Sequence, residues 1–544
     1  FQQFPQRATQ PVALYTMGWY IQDQWKLKPN LTFTYGLRFE HDSNPICITN
    51  CFARLSGDLN SVSASQDTPY QNLIKSSQHQ AFNSLQAIGV EPRVGFAFSP
   101  FGADGKTTLR GGFGMFADSF PGQIADLALN NAPTNVPFTI QSQNFGNVNA
   151  PAAGYQLIPT AAGSARTVAA NSNAAFSAGF LNGATFNSLS AVPGFSPPNV
   201  TTPVHHISYP TYEEWSLTVE QQLTKTAALS VGYVGNHTYH QPIQAFNANA
   251  SGFGGLPATP NPNFASVNQI YSAGTSNYNG LVTTVVNRAR WATIQFNYVY
   301  SHALDEISNG GFDQFNNNLG SAITEYPTNP TNFAQNYGNS DYDTRHYISA
   351  SYLVPLPYWG GPRVVTDGWE FSGTVFHNTG NPYSIYSNTA ASSIPSYGAL
   401  LYAKQVAPLK SNHCGGAEHS VNGPPGTNNP AGAIPCSFVS SFAEPTAVGQ
   451  GRRNNVYGSS YTNTDFAVTK SFPIPHWESA RLKLGAQFFN LFNHPNFAYS
   501  NANIDSGAVG TISNTVNTPT SILGAFLGGD ASPRLIQFTG KFSF

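Results

Sequence analysis

Charge is what this sequence has least of. Asp, Glu, Lys and Arg together make up 9% of its 544 residues, against roughly 25% in an average soluble domain. A water-soluble surface would be unusual on such a composition. Long apolar runs are also missing: no stretch approaches the roughly 18 consecutive apolar residues that a spanning helix needs, which excludes a helical membrane protein. No basic run or clustered Lys/Arg stripe is present and the net charge is −2, so nucleic acid is excluded as a partner. The chain opens at Phe1 without Met, charged n-region or signal core. Its start is therefore expected to lie upstream, and the missing leader says nothing about export.

Aromatic residues reach 13%, and Gly and Pro contribute 49 and 39 residues. The deficit of charge is filled by Asn, Ser, Thr, Gln and Gly rather than by Leu, a composition suited to long water-facing loops. Between those loops the apolar residues recur at every second position. Leu31, Phe33, Tyr35, Leu37 and Phe39 alternate with Thr32, Thr34, Gly36, Arg38 and Glu40, the pattern of a strand with one greasy face. Ile536, Phe538, Phe542 and Phe544 repeat it at the other end of the chain.

Similar alternation appears at Tyr15 to Gln22, Arg93 to Ser99, Thr108 to Met115, Glu214 to Glu220, Leu229 to Tyr233, Ile294 to Ser301, Ile348 to Val354, Trp369 to Val375, Asp465 to Phe472 and Arg481 to Phe488, and more weakly at Leu281 to Val286. About thirteen strands are thus predicted. Their connections alternate in length. The short ones fall at Lys28-Pro29, Phe101 to Lys106, Thr224 to Thr226, Ala289-Arg290, Pro355 to Asp367 and Pro473 to His476; the long ones run from 42 to 90, 118 to 210, 242 to 276, 305 to 342, 382 to 460 and 493 to 532. A soluble β-sandwich has no reason to gather every long loop at one end. The expected fold is all-β, a transmembrane antiparallel β-barrel with short periplasmic turns and long extracellular loops. If Phe544 ends a descending strand, the first visible strand descends too, and an even-stranded barrel would need at least one more strand before it.

Strand parity sorts the charges. Arg38, Glu40, Arg93, Arg110, Glu214, Glu220, Glu370, Asp465, Arg481, Lys483 and Lys541 mostly fall on the polar parity, hence toward the lumen, because Arg or Lys facing lipid at the midplane costs about 2–4 kcal/mol. Such residues either contact a plug or solute, or pair with one another across strands. Trp19, Trp25, Trp215, Trp291, Trp359, Trp369 and Trp477 lie near expected strand ends, as interfacial girdle residues do. Loop tyrosines such as Tyr271, Tyr278 and Tyr326 could instead stack on a sugar.

The four cysteines separate into Cys47 with Cys51 and Cys414 with Cys436, both pairs in extracellular loops where oxidising export favours disulfides that staple mobile segments. The rival is a metal site from His413, Cys414, His419 and Cys436, which lacks the tight CxxC spacing of structural zinc. Ser340 to His346, SDYDTRH, brings Asp341, Asp343, Arg345 and His346 together, either for acid–base chemistry or a cation, or as a salt-bridged rim. No GxSxG, HExxH or P-loop occurs, and the glycines of LRGGFG at Leu109 sit inside a strand. No catalysis and no cofactor are expected.

Several strings, in order, resemble the barrel of TonB-dependent outer-membrane transporters, in particular the Oar-like group that carries a carboxypeptidase-regulatory-like domain. They are WYIQDQWKLKPNLTFTYGLRFE from Trp19, PRVGFAFSP from Pro92, LRGGFGMF from Leu109, WSLTVEQQL from Trp215, YGNSDYDTRH from Tyr337, FFNLFNHPNF from Phe488 and RLIQFTGKFSF from Arg534. The resemblance implies that residues 1–544 are the C-terminal part of a 22-stranded barrel with a plugged lumen, with roughly nine strands, the plug and the TonB-contacting segment upstream. It further implies uptake of a scarce or bulky solute across the outer membrane, driven through the TonB complex. Phe542 and Phe544 would be read by the outer-membrane assembly machinery. Neutral polar and aromatic loops point toward carbohydrate rather than a highly charged ferric chelate. Two other functions fit the composition: an adhesive or structural surface barrel, and a passive porin.

Overall fold

The computed structural model describes residues 11–102, 105–119, 122–134, 146–147, 150–151, 165–192, 195, 197–245, 248–249, 261–308, 328–329, 332–393, 401–408, 434–435, 441–474, 477–497, 499–506, 509–512 and 534–544. One 15-stranded sheet dominates, and thirteen of its strands follow one another in chain order as an antiparallel meander. They are β1 (Thr16–Lys28), β2 (Leu31–Asp42), β3 (Gly89–Phe98), β4 (Thr107–Ala117), β5 (Thr211–Gln222), β6 (Ala227–Ala245), β7 (Val267–Ala289), β8 (Ala292–Asp305), β9 (His346–Pro355), β10 (Trp369–Asn378), β11 (Tyr461–Ile474), β12 (Trp477–Phe489) and β13 (Leu535–Ser543). Each predicted strand is present, and every short connection lies at one end of the sheet.

Period-two alternation sets the two faces, and register carries them from strand to strand. Leu37 stands opposite Ile21 and Pro92, Phe113 opposite Val94 and Trp215, and Leu281 opposite Tyr233 and Tyr300. Phe371 meets Val468, and Leu482 meets Phe542. This face is predominantly apolar, with Asp23 and Lys470 among the exceptions, and its side chains run from half-buried to exposed, Phe538 reaching 82%. In water that exposure would be costly; against lipid it is the condition for insertion.

The buried hydrophobic core lies elsewhere, in the long connections. Leu55, Tyr70, Leu73, Phe176, Phe180 and Phe264 form one cluster, drawn from three connections. Phe52, Phe82, Ile124, Leu129, Ile207 and Ile270 form a second, and Tyr383, Ile385, Phe442, Val456 and Ile512 a third. The long connections are present as expected, and their scattered apolar residues pack against one another. In the first cluster Tyr70 meets Phe176 edge-on at 4.9 Å and donates to the Asn263 carbonyl.

The connection expected from 242 to 276 is shorter than predicted. β6 and β7 continue as a paired ribbon to Ala245 and back from Gln269, with register shifts around Gln241, and the segment Val200–Pro203 adds to β7 in parallel. Tyr271 and Tyr278 consequently sit on a strand and not in a loop. Tyr326 lies outside the described residues.

Candidate functional site

All eleven charged residues assigned by parity share one face of the sheet, opposite the apolar one. Arg38 stands across from Glu91, and Gly36 from Arg93, which in turn faces Gly114 and through it Glu214. Arg110 pairs with Thr218, and Glu220 with Thr108. Farther along, Glu370 faces Thr469, Asp465 faces Thr374, Lys483 faces both Ser471 and Lys541, and Arg481 faces Pro473. Glu40 completes the set opposite Gly18.

Many of these charges neutralise one another. Glu91, buried between two arginines, accepts from Arg93 at 2.6 Å and lies 3.8 Å from Arg38, which also pairs with Glu40 at 2.5 Å. Lys483 reaches Glu370 at 2.6 Å across the intervening β11. Arg110 and Glu220, 3.3 Å apart, are more exposed and contribute correspondingly little. Sequence reading missed Glu91, because it precedes Pro92 near the start of a strand; Arg93 lies two residues along that same strand, and Arg38 comes from the neighbouring one. Beside this group a cavity of about 430 Å³ is lined by Tyr20, Gln22, Thr34, Arg38 and Arg93, with Gly36 and Gly95 leaving the space open.

A second charged group sits above the sheet. Arg453, fully buried, donates to the Asp305 carboxylate at 2.7 Å, to the Asp305 carbonyl at 3.0 Å and to Ser308 Oγ at 2.9 Å, and lies 3.7 Å from Asp341. Asn454 bridges the same segments, donating to Asp341 at 2.6 Å. Within SDYDTRH, Arg345 and Asp343 pair at 2.9 Å, and His346 opens β9, its ring 2.9 Å from the Tyr298 hydroxyl. Burial pushes Asp341 and Glu306 above the ordinary carboxylate range, Arg453 opposing it in both cases. The motif is a brace between connections, and its central cation comes from a distant segment that carries no local signal.

Cys47 and Cys51 are joined by a disulfide, 5.7 Å between Cα atoms, buried in the second cluster beside Phe52. It reinforces a packed segment. His413, Cys414, His419 and Cys436 lie outside the described residues.

A carboxyl pair joins two further connections. Ser387 Oγ donates to Glu444, while Asp505 accepts the backbone N–H groups of Asn388 at 2.6 Å and Thr389 at 2.7 Å. Burial, then the bond to Asp505, raises the Glu444 pKa. Burial acts upward on Asp505 too, but its bonds from Glu444, Thr389 and Asn388 outweigh that and hold it low. A proton held more tightly by the folded state stabilises it below the ordinary Glu range, and that stability is lost as pH rises through the raised value. Asp505 has the opposite sign and loses its contribution only below the ordinary Asp range. Amide exchange at Leu401–Tyr402 and Phe442–Ala443, corrected for intrinsic rates, should therefore accelerate as pH rises above the ordinary Glu range. Glu444→Gln should flatten that dependence.

An antiparallel sheet with one continuous lipid-compatible face, one polar face of paired charges and all its long connections at one end defines an outer-membrane barrel wall. A family model described as the outer membrane beta barrel domain matches residues 1–537, and the chain belongs to that family. Curated proteins give no match. Among solved structures the chain is similar to the outer membrane transporter YddB from Escherichia coli, at 10% identity and a TM-score of 0.41, over 92% of this chain and 43% of that one. It is similar also to the ferripyoverdine receptor of the outer membrane of Pseudomonas aeruginosa, at 8% and 0.42 over 98% and 39%, and to the ferric citrate transporter FecA, at 10% and 0.38 over 97% and 45%. The chain thus spans less than half the length of each.

Proposed function

We propose that this chain is barrel wall and ligand-capturing surface of a TonB-dependent active transporter. Binding and gated passage constitute its mechanism, with no bond made or broken. The observation that supports this best is the packed layer built from the long connections. A surface already ordered by three apolar clusters loses less conformational freedom on binding a solute than free loops would, which suits capture of something scarce. The polar face would meet the plug and the passing solute, with many of its arginines and carboxylates already paired. Neutral polar and aromatic residues in the connections favour an uncharged, hydroxyl-rich solute such as a carbohydrate.

Conductance of the full-length protein, including the plug expected upstream of this chain, tests the mechanism in a planar bilayer. A plugged transporter is silent until the plug is perturbed, whereas steady conductance would identify a passive pore and overturn the proposal. Retention of a panel of oligosaccharides by the purified receptor tests the solute class, and binding confined to a ferric chelate would refute it.

A further inference from the structure

Five of the six short connections leave at most eight residues between strands, and three of these expose one large apolar side chain, Phe101, Leu223 or Trp291; the sixth, from Leu356 to Gly368, is longer and gathers several. Tyr358 and Trp359 are 47% and 56% exposed, and Val364 and Val365 72% and 60%. Such a patch on a water-facing turn would be unfavourable, and patches of this kind mark surfaces that something covers.

The strands beside it indicate the covering. Trp369 belongs to the apolar parity of β10, and its indole N–H donates to the Val365 carbonyl at 2.7 Å. That bond folds the helical turn Arg363–Thr366 back toward the lipid side of the sheet. Lys470, paired with Trp369 in register and likewise on the apolar parity, places its ammonium 5.2 Å from the Trp369 and Phe472 rings and donates to the Asp367 carbonyl. A lysine on a lipid-facing strand reaching back to a polar group is the arrangement expected where hydrocarbon gives way to headgroups. Arg363 lies over the Tyr358 ring, 5.6 Å from its centroid, next to the exposed valines.

We infer that the turn from Leu356 to Gly368 is a membrane-interface anchor, lying in the headgroup layer of the periplasmic leaflet with Trp359, Val364 and Val365 in lipid and Arg363 on a phospholipid phosphate. Trp369, on the apolar face, is bonded directly to Val365 in the turn, so the occupant is the bilayer that already covers that face. Interfacial segments of this composition bind through apolar area together with attraction of cations to lipid phosphate.

A nitroxide at Val364→Cys, in a Cys414→Ser/Cys436→Ser background, tests this in bilayers of phosphatidylethanolamine and phosphatidylglycerol. Heat-modifiable migration on gels confirms that the labelled protein is folded. Relative to a label at Lys225→Cys in another short turn, the Val364 label should show several-fold greater accessibility to oxygen over a water-soluble nickel chelate. Adding Arg363→Gln should shift that ratio back toward water. Equal chelate accessibility at the two labels would overturn the inference, as would protection of Val364 that appears only when periplasmic extract is added, which would assign the patch to a protein.

Discussion

Replacing Arg453 with Met is expected to destabilise the extracellular layer by about 3–5 kcal/mol, the usual consequence of removing one partner from a buried ion pair. Asp305 would lose two guanidinium bonds at its carboxylate and a third at its carbonyl, and Asp341 the cation that opposes its burial. Both carboxylates stay buried, so each would have to take up a proton or open toward water. Amide exchange or limited proteolysis near Ser340 and Asn454 would register the loss, while the strands, held by their own ladder, should keep their protection. Removing the acids together with the base, as Arg453→Met/Asp305→Asn/Asp341→Asn, should recover much of the stability. A triple variant no better than the single one would mean that packing, and not charge, is what Arg453 supplies.

Adjacent residues on β5 should respond very differently to the same substitution. Leu217 belongs to the apolar face, opposite Gly111 and Tyr233, whereas Ser216 belongs to the polar face, opposite Gly112 and Val234. Leu217→Arg should cost about 2–4 kcal/mol in folding from denaturant into lipid vesicles if it lies near the bilayer midplane. Ser216→Arg should cost far less, because its guanidinium stays in a polar environment. Equal penalties would contradict the assignment of the two faces.

The strands were legible because a lipid-facing wall needs the same alternation everywhere, and a one-residue slip would turn every apolar side chain to the wrong side. That constraint acts locally, so strings such as LTFTYGLRFE carry it in full view. It ceases beyond the bilayer. The outer parts of β6 and β7, with Gln241 and Gln244 on one strand and Gln269, Ser272 and Ser276 on the other, extend the ribbon without clear alternation and read as loop.

The same limit hid the Arg453 brace. SDYDTRH stood out as a cluster, but its meaning depends on an arginine more than a hundred residues away, brought near by the meander and not by any spacing. Glu91 was lost for a related reason: Arg93 stands two residues along its own strand, but Arg38, which places it between two cations, is brought there by cross-strand register, which no single strand displays. Tyr70, Phe176 and Phe264 likewise appear as isolated aromatics until three separate connections are laid together.

The first cluster unites residues from connections that flank different strands, so the outward surface exists only once those strands stand side by side. What another cell, a phage or an antibody meets there is a composite patch, belonging to no single stretch of chain. Antibodies raised against synthetic peptides from around Tyr70 or Phe176 should therefore bind the denatured protein and miss the intact cell, whereas sera against the folded protein should lose their target on boiling.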